Sequence, residues 1–283
     1  MSDKVYIRST GIVSPLGAAP DGTRLRSVEP DYGRVIDPKL LRRMSRIIRM
    51  GVAAAMECLG GTSPDAIVTG TAYGCLEDTT TFLNRMVENR EEMLTPTAFI
   101  QSTHNTVGAQ IALMLQCHAY NNTFVHRGFS FENAVLDAIM LLKEGAAKTV
   151  LAGGLDEITD TSHSILSRFG LYKHGRINGE GAAFFLLSSE PGGGICLEGM
   201  DTFYKPGSPE AHIQAFLEKH PGPIDLVLGD TGEPFKHLCG DYPTASAFGL
   251  WLATEKIRAG ARRVLVYNHY LGIHHSLYLV SAC

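Results

Sequence analysis

Apolar residues recur along this chain in two periods, and their alternation sets out an α/β protein. A strand is predicted at 5–8, followed by a Gly- and Pro-bearing turn through Gly17 and a loop to about Asp37. Asp37 then reads as an N-cap with Pro38 in the first helical position. Leu41, Met44, Ile48, Val52 and Ala55 keep helical spacing up to the stop at Gly60-Gly61. Further on the pattern predicts strands at 66–69, 122–125 and 149–151, and helices at 79–89, 102–115 and 131–143. After residue 175 it repeats in outline, with strands at 183–187, 195–199, 224–228, 263–267 and 277–280 and helices at 209–218 and 244–258. Strands that alternate with helices predict parallel sheets covered by helices. Two apolar stretches, Ala66-Ile-Val-Thr-Gly70 and Asp225-Leu-Val-Leu-Gly229, both end in glycine before a loop, the trace of an internal duplication.

Composition narrows the function classes. With 45% hydrophobic and 19% charged residues the chain is neither disordered nor fibrous, and its formal charge of −4 offers no global field for nucleic acid. The apolar stretch around 134–142 is broken by Asp137, so no segment approaches the roughly 20 residues of a membrane span. The opening MSDKVYIRSTG alternates charge where a secretory signal needs a continuous apolar run, which predicts a cytoplasmic protein. Six scattered cysteines without CxxC spacing argue against a zinc site or a disulfide framework and predict reduced, mostly buried thiols.

Nucleotide and zinc-protease signatures are missing: there is no GxxxxGK[ST], no GxGxxG after a strand and no HExxH. Gly192-Gly193-Gly194 reads as a hairpin connection. The informative stretch is 121–154, a strand, a sharp turn at 127–130, a helix, and a second strand ending in Ala152-Gly153-Gly154 before Asp156. A strand-to-helix turn exposes a nucleophile while the helix N-terminus stabilises developing negative charge. Here the sequence resembles the ketosynthase (β-ketoacyl synthase) branch of the thiolase-like condensing enzymes. The likeness extends to 42–60 as the family's early helix, 103–112 as the helix before the nucleophile strand, and Gly179-Glu180-Gly181-Ala182 as its GEGA strand entry.

The resemblance implies a thiolase-like layered α/β fold of two related halves with mostly parallel sheets, divided as 1–178 and 179–283. It also implies which positions carry the chemistry. Counting back without gaps puts Ser130 on the family's serine and Gly128 on its acyl-accepting cysteine. Lys236-His237-Leu238-Cys239-Gly240-Asp241 resembles Lys-x-x-x-Gly-His with Asp241 at the histidine, and Asp230 stands at the other histidine. The Gly-Phe-Gly-Gly-Thr-Asn loop is matched loosely by Leu271-Gly-Ile-His-His-Ser276. Decarboxylative condensation needs a thiolate and two neutral imidazoles, so loss of condensing activity is expected. No cofactor is implied. The expected role is that of a chain-length-factor-like partner of an active ketosynthase in fatty-acid or polyketide assembly, with an acyl carrier protein as second partner.

Other readings of the same residues stand beside this one. Ser130 in Gly128-Phe-Ser-Phe-Glu132 is one residue from a GxSxG elbow, so it is either a helix N-cap or, with His126, an acyltransferase or thioester-hydrolase nucleophile. Cys117 or Cys239 would have to be reactive if the alignment is shifted. His126 and Arg127 either bind an anion or serve the turn, and Lys236 and His237 are further pocket candidates. Arg42, Arg43, Arg46 and Arg49, with Lys39, form one helical face that is either solvated or a carrier-protein docking patch. His274, His275 and His269 suggest a metal only weakly, because neighbours on a strand point to opposite faces. If Asp230 and Asp241 face one another, repulsion should raise an apparent pKa of the pair. Dimerisation is expected through the edge strand that precedes Gly128, as a heterodimer or, for an acyl-chain binding protein, a homodimer.

Overall fold

Glycine stops, extended caps and the two hydrophobic periods divide the chain into elements close to those expected. The computed structural model describes residues 4–173 and 175–283. The strands are β1 (Val5–Val13), β2 (Ala66–Gly70), β3 (Tyr120–Phe124), β4 (Thr149–Asp156), β5 (Gly181–Ser188), β6 (Ile195–Tyr204), β7 (Leu226–Gly229), β8 (Arg263–Tyr270) and β9 (His274–Ala282). The helices of the first part are α1 (Pro38–Leu41), α2 (Arg46–Leu59), α3 (Leu76–Glu88), α4 (Pro96–Gln101), α5 (Thr106–Leu115), α6 (Ser130–Lys143) and α7 (Asp160–Arg168). Those of the second part are α8 (Pro209–Lys219), α9 (Lys236–Cys239) and α10 (Ala245–Arg258).

The single helix expected from Pro38 to Gly60 is two. Asp37 caps the first by accepting from the Lys39 amide, but Ser45 is extended, at φ −67° and ψ 171°, and restarts the chain as α2. A periodic apolar face does not register one extended residue within it. Helix α7 has no strong apolar face and is held by a capping box between Thr159 and Ser162.

Among the described residues the strands form one nine-stranded sheet, in the order β3-β2-β4-β5-β1-β6-β9-β8-β7. Outward from the middle, β1, β5, β4 and β2 match β6, β9, β8 and β7 in order and direction, antiparallel, antiparallel, then parallel. The two glycine-ended strands, β2 and β7, therefore occupy equivalent places, and β3 has no counterpart. The architecture is thiolase-like, but parallel pairing is confined to the outer strands, β3-β2-β4 and β8-β7. The 271–273 turn joins β8 to β9 and leaves no room for the crossover that a parallel pair requires. The boundary also moves. Strand β5 hydrogen-bonds between β4 and β1, so topology assigns it to the first half and puts the break in the 189–194 turn, not at 178.

Alternation along the strands separates two cores. Val68, Val150, Phe185, Val264 and Tyr278 face α6 and α10 on one side of the sheet. Ile67, Leu151, Phe184 and Leu186 face α2 and α5 on the other, where Leu265, Leu277 and Leu279 meet Phe216 of α8. The expectation of reduced thiols is corrected at one pair: Cys196 and Cys283 form a disulfide. Ser281 is the register partner of Cys196, so Cys283 lies two residues beyond on the neighbouring strand's path. Cys58, Cys75, Cys117 and Cys239 are free.

Candidate functional site

Parallel strands β3 and β4 flank β2, and the chain leaves β3 through a short 3-10 turn, 127–129, into α6. The turn is closed by Ser130, whose hydroxyl donates to the Arg127 carbonyl at 2.8 Å and accepts from the His126 amide at 2.8 Å. Ser130 is fully buried, and Phe129 is the N-cap residue, so Ser130 staples the turn instead of capping the helix. The His126 ring faces away, with Nδ1 2.8 Å from the Asn133 amide nitrogen. A Ser130–His126 nucleophile and base are thus not assembled, because the serine proton is committed to a carbonyl and no imidazole reaches it. Both His126 and Arg127 are exposed.

Gly128 is buried at the centre of the turn. A β-carbon there would lie 2.8 Å from His274 Cβ, 2.9 Å from His274 Cγ and 3.1 Å from Tyr270 Cβ. The space a side chain would occupy there is filled by the last residue of β8 and the first of β9. His274 packs edge-on to Phe129, with ring centroids 4.8 Å apart, and against Tyr204 and Tyr270, and burial pulls its pKa below the ordinary histidine value. Its packing among aromatic rings disfavours the charged form.

A second feature opens beside this plug. Arg176, Asp230, Lys236, His237, Asp241 and His269 line a cavity of about 370 Å³. Asp230 Oδ2 is 2.5 Å from His269 Nε2, and that hydrogen bond holds the Asp230 carboxyl below its usual range. Asp241, 8% exposed, lies 2.8 Å from Lys236 Nζ and 3.1 Å from Arg176 Nε. Lys236 also donates to the His269 carbonyl. The two aspartates share a cavity, but Asp241 is paired with Arg176 and Lys236 and Asp230 is hydrogen-bonded to His269, so the mutual repulsion that would raise a pKa does not develop at Asp230. His269 does not act as a general base toward the cavity either, since Nε2 is held by Asp230 and Nδ1 is sealed without a partner.

A sequence model of the family described as "Beta-ketoacyl synthase, N-terminal domain" matches residues 24–169, just over half of the chain. The chain belongs to the β-ketoacyl synthase family. No curated protein gives a significant match. Among solved structures, the fold is similar to the ishigamide ketosynthase/chain length factor, at 16% identity and TM-score 0.80 over 99% of both chains. It is similar also to a type II polyketide synthase ketosynthase solved with its acyl-carrier protein (AntDE:AntF), at 14% identity and TM-score 0.81 over 99% of both. A third likeness is to a ketosynthase with its chain length factor (ApeO and ApeC) from Xenorhabdus doucetiae, at 17% identity and TM-score 0.62, covering 98% of this chain and 99% of that one.

Other motif residues serve the β-ketoacyl synthase scaffold. Gly179 of the GEGA entry packs on Gly240, where a β-carbon would lie 2.0 Å from the Cys239 carbonyl oxygen, and Gly240 itself has φ 77°. Glu180 is fully buried and accepts from the Ser27 and Ile158 amides and from both terminal nitrogens of Arg46. Arg46, which also bonds Glu29 at 2.6 Å, therefore points inward and leaves the basic patch. Arg49 is half-buried and donates to the Met44 carbonyl, whereas Arg42 and Arg43 are exposed. Cys239 is sealed, and burial pushes its thiol far up, which rules it out as a reactive nucleophile. Cross-strand partners His269 and His275 share a face while His274 turns to Gly128, and no group of three or more His, Cys, Asp or Glu among the described residues could hold a metal. Arg176 had no sequence signal. Its partner Asp241 is 65 residues away in the chain, and a lone arginine in a loop says nothing of its target.

Proposed function

We propose that this β-ketoacyl synthase homologue does no condensation itself and acts as a chain-length-factor-like partner of an active ketosynthase in polyketide or fatty-acid assembly. The carrying observation is Gly128: the position of the family's nucleophile has neither a side chain nor room for one. Where the resemblance places histidines the cavity holds Asp230, hydrogen-bonded to His269, and Asp241, ion-paired with Arg176 and Lys236. An ionised carboxylate repels an oxyanion, so the site lacks the means to stabilise the condensation intermediate.

The surface supports a partner. Strand β3 pairs with β2 and forms one edge of the sheet, and α3 and α4 bury no residue. Leu83, Val87, Phe99, Ile100, Leu113 and Met140 are exposed on the elements around it. An apolar surface of this kind marks an interaction site. Lys39, Arg42 and Arg43 remain available to steer an acidic carrier protein.

Two experiments test the reading. Native mass spectrometry of the chain, alone and co-expressed with a ketosynthase encoded beside it, should show a one-to-one complex that grows as homodimer shrinks; persistent homodimer with no mixed species would sink the partner role. In the second, Gly128→Cys should take up no acyl group from an acyl-thioester, because His274 and Tyr270 occupy the thiol's place. Acylation of that variant would show that the site keeps a working oxyanion hole.

A further inference from the structure

Cys196 lies on β6, the first strand of the second half, and Cys283 lies just past β9, its last. Their bond spans 87 positions and closes β6, α8, β7, α9, α10, β8 and β9 into one covalent ring. Cys196 also sits at the seam between the halves. There β1 meets β6 through Val5–Leu197 and Tyr6–Cys196, and the Cys283 amide donates to the Gly194 carbonyl at 3.1 Å. Strand β9 carries the disulfide beyond one end and, at the other, His274, the ring that fills the place of the family's nucleophile.

We propose that Cys196–Cys283 is a redox-controlled staple that sets the stability of the second half. Cys283 is exposed while Cys196 is 1% exposed, which directs an attacking thiolate to the Cys283 sulfur. In that step the reductant's sulfur bonds to Cys283, the S–S bond breaks, and its electron pair leaves on Cys196, which takes a proton. The reductant's second thiol then displaces Cys283, so a small dithiol is oxidised to its disulfide and two protein thiols form. A glutathione disulfide reverses the change. Oxidised, the ring restricts the unfolded second half; reduced, that half is tied to the first through the short seam and the packing of α10 against β4 and β5. The other four cysteines stay thiols throughout.

The full chain, equilibrated in glutathione buffers of graded potential and then alkylated, should show four reactive thiols per denatured chain at the oxidising end and six at the reducing end. Its thermal midpoint should fall by roughly 10 °C across the same range. Faster amide exchange should be confined to residues 195–282. Cys283→Ser, a change at an exposed position, should show five thiols and the midpoint and exchange of the reduced protein at every potential. Six thiols in all buffers, a bond that no native buffer reduces, or a midpoint indifferent to its state would each overturn the proposal.

Discussion

Replacing Arg46 by alanine is expected to destabilise the protein by about 3–5 kcal/mol, because it leaves Glu180 as an uncompensated charge in the interior. Glu180 is fully buried, and its oxygens are met by the Ser27 and Ile158 amides and by the paired nitrogens of Arg46, at 2.7 and 2.5 Å. The planar fork is what satisfies both oxygens together, so Arg46→Lys should recover only part of the loss. Arg42→Ala and Arg43→Ala touch exposed side chains and should stay within about 0.5 kcal/mol of the parent. Urea unfolding measures all four. If Arg46→Ala unfolds at the parent's midpoint, the ion pair is not what joins α2 to the β5 entry. The same set separates structure from docking, since a carrier protein should lose association rate with the Arg42 and Arg43 variants while the fold stays intact.

The stability supplied by three buried carboxyls is expected to fall as pH rises from about 4.5 to about 7, opposite in sign to the contribution of His163, His274 and His275, whose pKa values burial lowers. Burial raises three carboxyls, Glu132 to about 7, Asp156 to about 6 and Glu157 to about 7. Each binds a proton more tightly folded than unfolded. Its contribution is therefore complete below the unfolded value, is lost as pH climbs through the folded value, and stays lost above it. Glu132 is the clearest of the three, being fully sealed between α6 and the Ser246, Ser276 and Tyr278 hydroxyls. Glu132→Gln keeps the shape and removes the ionisation, so it should gain on the order of 3 kcal/mol at pH 8 and almost nothing at pH 4.5. Chemical denaturation at the two pH values decides it, and equal gains at both would mean that Glu132 is not held protonated. Asp156 accepts four hydrogen bonds, from Ala72, Thr71 and both the amide and hydroxyl of Thr244, so its removal should be destabilising at either pH.

Much of the scaffold is legible in the chain because local rules suffice for it. Short, continuous apolar runs mark β4 and β5, Gly60 ends α2 in a left-handed cap, and the likeness of 66–70 to 225–229 matches two strands in equivalent places. Local rules also explain the misses. One extended serine divides the expected first helix, and β5 carries the GEGA motif of one half into the sheet of the other, since strand pairing is a long-range choice. The basic patch is half legible for the same reason. Spacing puts Arg42, Arg43, Arg46 and Arg49 on one helical face, but it does not show that Glu180 takes one of them inward.

By itself the sequence determined the family, the α/β layering and the glycine at the strand-to-helix turn, because motifs and periodicity are local properties of a chain. Only the tertiary structure decided what that glycine means. Residues 128, 270 and 274 meet in a space that no spacing rule describes, and the packing of His274 and Tyr270 against Gly128 turns a missing side chain into a closed site. The same holds for Asp230 and Asp241, which as letters are two carboxylates 11 residues apart. Their partners, His269 for one and Arg176 with Lys236 for the other, arrive from distant parts of the chain or through the fold of a loop. Charge at short range depends on who the neighbours are, and folding alone chooses them.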